Sequence, residues 1–409
     1  MTIRHLYPAV EPSLNLDFAN SKKLDPRITF TRASTGTYVG ADGLIKTAAV
    51  NEARFDHDSD GNSLGLLIEE SRTNRILYSS NVGNASYYTL SNATAAFNTN
   101  LAPDGTFTAT KLISGTASNT ASYAQTGGIF LGESSVTVTI FAKAAGHNYL
   151  GIQGGEFAPS GIIYNLSNGT IASNPNSRPA DIVAYPNGWY RCRFGGYHYS
   201  STYNWKFYTT SSSSSFVITG DGSSGIYIWG AQLEQGSFPT SYIPTTSSTV
   251  TRSADVASMT GTNFSSWYNQ SEGTFAVTAT RKSSPTGMLF SLYTSTTDRI
   301  EVSFGDYAVP NSVQTYVVPS IGINAQIFSA GALPGSRVKY AASFATNSLN
   351  AVINGGTVTS SSSMGMPSPI SMSIGYRGSY SDYHLNNTIS RLTYYPVRLP
   401  DATLQALTL

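Results

Sequence analysis

The chain has 409 residues, of which only 11% are charged: 24 Lys and Arg stand against 23 Asp and Glu, for a net charge of +1. That balance excludes a basic field for nucleic acid and a polybasic patch for a membrane surface. The single cysteine, Cys192, excludes an intrachain disulfide framework and a four-cysteine zinc site. No run comes near the ~18 consecutive apolar residues that membrane insertion of a helix needs, and Met1–Leu6 lacks the apolar stretch of a secretory signal, so export by that route is not expected. The length suits two or three domains, and 40% hydrophobic residues suffice for sizeable cores. Surface helices carry Glu and Lys outward. So uncharged a chain, rich in Ser, Thr, Asn, Gly and its 26 Tyr, reads instead as strands and turns.

In chain order, residues 1–80 form a strand- and turn-rich segment. Leu14–Phe18 and Ile28–Thr31 alternate, Asp42-Gly43 marks a hairpin turn, and Leu64–Glu70 reads as a buried strand or one helical turn. From 81 to 245 short strands recur: Val136–Lys143, Tyr149–Gln153, Gly161–Tyr164, Trp189–Phe194, Asn204–Tyr208 and Ile226–Trp229. Turn clusters such as Asn168-Gly169 and Pro186-Asn187-Gly188 separate them, and this rhythm predicts a β-sandwich. The five-serine run 211–215 reads as an exposed loop or weak edge. Residues 236–270 look like a connector, with the linker proper at 246–270, and Thr249–Ala254 weakly echoes Thr29–Ser34. A second strand array fills 271–409. It includes Gly273–Thr280, Arg299–Phe304, Val338–Phe344, an Asn354-Gly355 hairpin and Ile389–Tyr395, before a helical tail from Pro400 in which Leu404, Leu407 and Leu409 could pack back. The fold class is therefore all-β, tandem β-sandwiches after a strand-rich N-terminal segment.

Three phrases carry a resemblance. One runs through Leu16–Phe18, Arg27–Thr35, Asp42–Ile45 and Leu66–Asn74. A second comprises Gly188–Cys192, Gly225–Glu234 and Phe238–Thr245, and a third is Ile389–Tyr395 with Arg398-Leu399-Pro400 and Leu404. Together they resemble tail-associated structural proteins of tailed bacteriophages. In those, a module like a carbohydrate-binding jelly roll (here 81–245) precedes a laminin-G/concanavalin-like sandwich (here 271–409). The resemblance implies a virion component of a tail fibre, tailspike or baseplate, exposed on the particle, that meets host-surface polysaccharide and other virion proteins as a homo-oligomer, with a trimer expected. It assigns no glycan site by residue, because its phrases look like framework strands.

Gly61-Asn62-Ser63-Leu64-Gly65 fits G-x-S-x-G, but a nucleophile elbow needs a strand before it and a helix after it, and an acidic turn precedes it here. Asp56, Asp58 and Asp60 open like a calcium loop, yet Leu67 occupies the twelfth position where the bidentate acid belongs. No cofactor is required, and a structural calcium is the one ion that loop could hold. The pairs Asp298/Glu301 and Glu301/Asp306 are the nearest approach to glycosidase carboxylates. The five histidines show no metal spacing, and Cys192 reads as a buried small hydrophobe.

Aromatic residues are the binding candidates, since sugar C–H faces stack on Tyr or Trp while a few polar groups select hydroxyls. Alternation places Trp205 and Phe207 on one face of their strand and Lys206 and Tyr208 on the other. Lys206 and Tyr208 are thus expected to be the exposed pair, joined by Tyr197, Tyr199 and Tyr149, with Trp189 and Trp229 in the core. Each tyrosine also has a packing or subunit-contact reading. The function expected is non-catalytic glycan binding by a phage structural protein. The alternatives are a purely structural head or tail decoration and a polysaccharide depolymerase.

Overall fold

The computed structural model describes residues 8–154, 160–199, 201–281, 286–305 and 309–409. It is almost entirely antiparallel β-structure. The chain forms two compact units: residues 42–47 with 72–252, and residues 8–41, 48–71 and 253–409.

The unit holding 72–252 is a two-sheet sandwich. One sheet has the order Ala180–Tyr185, Trp189–His198, Ser134–Ala145, Gly225–Gln235, Ala109–Ser114, Ala93–Asn100. The other runs Thr170–Ser173, Ile162–Asn165, Tyr149–Gly154, Trp205–Thr210, Thr120–Gln125, Val217–Ile218, and Thr89–Ser91 also pairs with Thr120–Gln125. The Ser134–Ala145 strand shows why the layers form. Val136, Val138 and Ile140 point into the inter-sheet core with Phe194, Trp205 and Phe207, as period-2 alternation requires. Phe141 points the other way, into a cluster with Trp189, Trp229, Tyr242 and Ile45.

The outer face of that six-stranded sheet is covered by residues 238–245. Gln232 donates to the Ser241 carbonyl (3.2 Å) and accepts from the Ile243 N–H (2.6 Å), and Glu234 accepts the Thr240 N–H (3.1 Å) and hydroxyl. Asn74, fully buried, donates to the Ala231 and Ile243 carbonyls (3.1 and 2.9 Å) and accepts from the Ile76 and Leu233 N–H groups (3.0 and 3.1 Å).

The other unit is also a sandwich. One sheet runs Thr359–Ser361, Ser348–Ile353, Arg337–Ala345, Glu272–Thr280, Asn387–Tyr395, Ser63–Ile68, Arg54–His57. Leu14–Asp17 pairs with the same Asn387–Tyr395 strand, beyond the Ser63–Ile68 contact. Gly65 makes that contact feasible. It has φ +96°, and a Cβ there would stand 2.1 Å from the Ile389 carbonyl oxygen. The opposing sheet runs Thr29–Thr31, Val256–Thr260, Ser371–Ile374, Gly287–Ser295, Asp298–Phe304, Ser312–Val318, Ala325–Ala330. The Asn354-Gly355 turn forms as expected, with φ +48° and +67° and the Gly356 N–H donating to Ile353 O at 2.9 Å. The tail is the Asp401–Leu407 helix, and Leu404 packs against Ala341, Val352 and Tyr395 while Leu409 is exposed.

The sequential division into 1–80, 81–245, a linker at 246–270 and 271–409 does not coincide with these units. Strands of the first segment complete both sheets of the C-terminal sandwich. Val256–Thr260 is a sheet strand and Phe264 and Trp267 are core. The reason is a buried ion cluster. Asp255 accepts from Arg32 Nη1 (3.1 Å), from Arg54 Nη2, and from the Glu69 N–H (2.9 Å), and Arg54 Nη1 also reaches Glu69 Oε2 (2.8 Å). Burial acts to lower the Arg54 pKa, but Asp255 and Glu69 more than offset this and raise it.

Removing one partner from such a cluster strands the others without countercharge. Asp255→Asn is expected to cost about 3–5 kcal/mol of stability, read as a lower denaturant midpoint for fluorescence of Trp267, the one tryptophan of this unit. A loss below about 1 kcal/mol contradicts the cluster's role.

Candidate functional site

The outer face of the first sandwich opposite residues 238–245, on the seven-stranded sheet, is partly exposed around Tyr123, Gln125 and Lys206. Its cross-strand rows follow from register. Gln125, Lys206 and Gln153 lie abreast, and Tyr123, Tyr208 and Gly151 form the next row. Lys206 Nζ sits 4.8 Å from the centroid of the partly exposed Tyr123 ring, a cation–π contact. The face thus presents one partly exposed aromatic ring, one ammonium group and the Gln125 amide, while Gln153 is buried.

Tyr208 is not the exposed residue that alternation predicts. It does point outward, but it is buried. Phe216, just beyond the serine run, folds back and stacks on its ring (4.3 Å, 15°), and Tyr123 packs beside it at 5.0 Å. Gly151 leaves the space for this: a Cβ there would lie 2.5 Å from the Phe216 ring. The Tyr208 hydroxyl donates to Gln153 Oε1 (2.7 Å), and burial pushes its phenol well above the ordinary range. Local alternation could not foresee a loop returning over the face. Lys206 is partly exposed, as is Tyr149, which alternation places on the same outward face. Tyr197 and Tyr199 are exposed (41% and 53%) and pack edge-to-face at 5.2 Å, but Tyr197 belongs to the six-stranded sheet. The structure therefore brings Lys206, Tyr149 and Tyr208 to one face and leaves the Tyr197–Tyr199 pair elsewhere. Tyr123 and Gln125 escape a local reading because the inward residues of their strand, Ser122 and Ala124, are too small to signal it.

The acidic turn does not assemble a calcium site. Asp58 spends its carboxylate on the Asp60 and Asn62 N–H groups (3.0 and 2.8 Å) and on the Asn62 amide (3.1 Å). Asp56 is buried and accepts the Val39 N–H (2.7 Å), while Asp60 is exposed. Among the described residues no group of three or more His, Cys, Asp or Glu side chains is placed to hold a metal ion. Ser63 of the G-x-S-x-G match opens the Ser63–Ile68 strand, with no helix behind it.

Asp298 and Glu301 take separate partners. Asp298 accepts from the Ser320 and Ser368 N–H groups (3.2 and 3.1 Å), and Glu301 from Arg299 Nε (2.8 Å). Burial raises the Glu301 pKa, against the opposing pull of Arg299. Asp306 lies outside the described residues. Cys192 is fully buried mid-strand, and burial raises its thiol pKa. Trp189 and Trp229 are core.

No protein-family model and no curated protein matches the chain. Among solved structures, the CBM40 of the Ruminococcus gnavus IT-sialidase, bound to α2,3-sialyllactose, aligns over 34% of this chain and 84% of its own, at 16% identity and a TM-score of 0.30. Domain 4 of AbnA, a GH43 extracellular arabinanase from Geobacillus stearothermophilus in complex with arabinotriose, aligns over 43% and 84% at 10% identity and 0.32. The Streptococcus pneumoniae NanB sialidase aligns over 36% and 26% at 14% and 0.30. Likeness this partial transfers no ligand and no activity to this chain.

Two expectations follow for this sandwich. Tyr208→Ala removes a stacked, hydrogen-bonded ring and should cost about 3–5 kcal/mol of stability, seen as a lower thermal midpoint; an unchanged midpoint contradicts its packing role. Burial also lowers the pKa values of His147 and His198, so the unfolded chain takes up these protons first. Stability is then full above pH ~7 and falls as pH drops through the free value near 6.5, by at most about 1.4 kcal/mol per pH unit for each histidine. Denaturant midpoints taken from pH ~7.5 to ~5.5 should show this slope, reduced in His198→Phe; equal slopes contradict it.

Proposed function

We propose that this chain is a non-catalytic structural protein of a tailed-phage particle that binds host-surface polysaccharide through the outer face of its 72–252 sandwich. The observation that carries the binding reading is that Tyr123 lies beside Lys206 and that register sets Gln125 abreast of Lys206. A saccharide ring can lay its C–H face on Tyr123 while the ammonium and the Gln125 amide meet its hydroxyls. The particle reading rests on the sequence phrases alone. Such shallow sites bind weakly one by one, and repeated copies, as in the expected trimer, raise the avidity. A net charge of +1 fits a neutral or variable glycan.

On a host-polysaccharide array followed by calorimetry, Tyr123→Ala should weaken binding about tenfold and Lys206→Ala by less, with thermal midpoints retained. Affinity should change less than about twofold between ~0.05 and ~0.5 M salt. Unchanged affinity in Tyr123→Ala rejects this face as the site.

A further inference from the structure

The second sandwich carries its own concentration of aromatic and charged side chains, unrelated to the face around Tyr123. On the outer face of the sheet containing Asp298–Phe304, Glu301 lies abreast of Ser291 and Tyr316, and Arg299 abreast of Tyr293. The loop 376–383 adds to this cluster. The Arg299 guanidinium lies 5.5 Å from the Tyr316 centroid and 5.7 Å from that of Tyr380, and the Arg377 guanidinium lies 4.4 Å from Tyr380 and 5.3 Å from Tyr383. These contacts link Tyr383, Arg377, Tyr380, Arg299 and Tyr316 in one cluster of rings and cations. Each cation has its own acid. Arg377 Nε and Nη2 make two parallel bonds to Asp382 (2.8 Å each), and Arg299 Nε meets Glu301 (2.8 Å).

We propose that this cluster is a second saccharide-binding site, with Tyr380 as the platform and the Arg377–Asp382 pair as the hydroxyl-selecting group, built for a ring that carries no charge. Tyr380 is 49% exposed and the Asp382 side chain 51%, so both reach solvent although the cluster around them is packed. Two guanidinium groups hold the Tyr380 ring, so little side-chain freedom remains to be lost when a sugar stacks on it. The Arg377–Asp382 fork leaves N–H donors on the arginine and lone pairs on the carboxylate, a donor–acceptor pair that matches neighbouring hydroxyls. Because acids and cations are matched one to one, the site offers no net attraction for a carboxylated sugar. The backbone arrangement is itself specified. Ser381 and Tyr383 both take φ +57°, and Arg377 and Asp382 exchange backbone hydrogen bonds (2.8 and 3.4 Å) across the turn. Left-handed conformations at non-glycine residues persist where surrounding contacts over-determine them.

The proposal rests on the reading that the chain binds saccharide, and the test separates the two. Full-length wild type, Tyr123→Ala, Tyr380→Leu and the double variant are titrated with neutral glucose and galactose oligosaccharides and with a hexuronate oligosaccharide, followed by saturation-transfer NMR. Tyr380→Leu keeps bulk and loses the ring face, and Asp382→Asn serves as a second probe that leaves Tyr380 in place. The expected result is that Tyr123→Ala weakens overall binding about tenfold but leaves a residual neutral-sugar binding, that adding Tyr380→Leu weakens this residual about tenfold more, and that adding Asp382→Asn to Tyr123→Ala instead weakens it several-fold. Identical binding by Tyr123→Ala and the double variant overturns the second site. Tighter hexuronate than neutral-sugar binding at the Tyr380-dependent site overturns the ligand class. Binding that depends on Tyr380 but not on Tyr123 overturns only the first face, and no neutral-sugar binding by wild type overturns both.

Discussion

Asp255 holds two arginines and a backbone N–H in a site closed to water, and the C-terminal sandwich is organised around that contact. The chain leaves this unit after Ser71 and re-enters it at Ser253. Glu69 lies two residues before the exit and Asp255 two after the return, and the Asp255 N–H donates to Glu69 O (2.9 Å). Arg32 and Arg54 reach in from the N-terminal strands and spend further donors on the Ala49, Ser34 and Thr37 carbonyls. A buried network of this kind is costly to desolvate and weak as a source of net stability, but it penalises every mispaired alternative. Here it selects one registration of chain segments about two hundred residues apart, with separations of 223 and 201 for the two Asp255 pairs.

The same logic explains the recognisable phrases. Arg32 and Glu69 belong to the first of them and end in the ion cluster. Asn74 closes that phrase and is bonded on all sides by the strands and segment of the second, in which Gln232 and Glu234 hold residues 240–243. The phrases are frame: their buried polar residues, Arg32, Glu69, Asn74, Gln232 and Glu234, tie chain crossings together. The side chains that could meet a ligand, Tyr123, Lys206, Tyr380 and Asp382, stand outside every phrase. A surface contact tolerates many sequences, whereas a buried polar network tolerates few, so a resemblance carried by frame residues reports architecture before it reports a ligand.

This also decides what was legible. Strands whose own residues alternate strongly, such as Val136–Ile140, and turns whose φ requirement names their residues, such as Asn354-Gly355, can be read locally. The pairing of Leu14–Asp17 and Ser63–Ile68 with Asn387–Tyr395 cannot, because nothing in either strand names a partner more than three hundred residues away. Val256–Thr260 reads as linker because the strand has only five residues and only Ala257 and Met259 mark its inward face. Tyr208 was placed on the correct face and given the wrong exposure, since its cover comes from Phe216 behind a serine run. Alternation reports which way a side chain points, and only tertiary structure reports what stands in front of it.

Low charge gains a sharper meaning from this arrangement. Part of the small charged complement is withdrawn from the surface altogether, since Arg32, Arg54, Glu69, Asp255, Arg299 and Glu301 are all buried in ion pairs. What remains outside carries fewer charges than the composition suggests, and its ordered features are aromatic rings beside cations: Tyr123 beside Lys206 and Tyr380 beside Arg377 and Arg299. A ring fixed in this way offers a flat apolar surface at little entropic cost, while its cation is engaged and projects little field. On the proposed reading, recognition on such a surface comes from stacking and hydroxyl geometry, which act over contact distance, and not from long-range attraction. Contacts of that range are individually weak, so the proposed binding gains its strength from repetition, for which a surface of near-zero net charge sets up little repulsion.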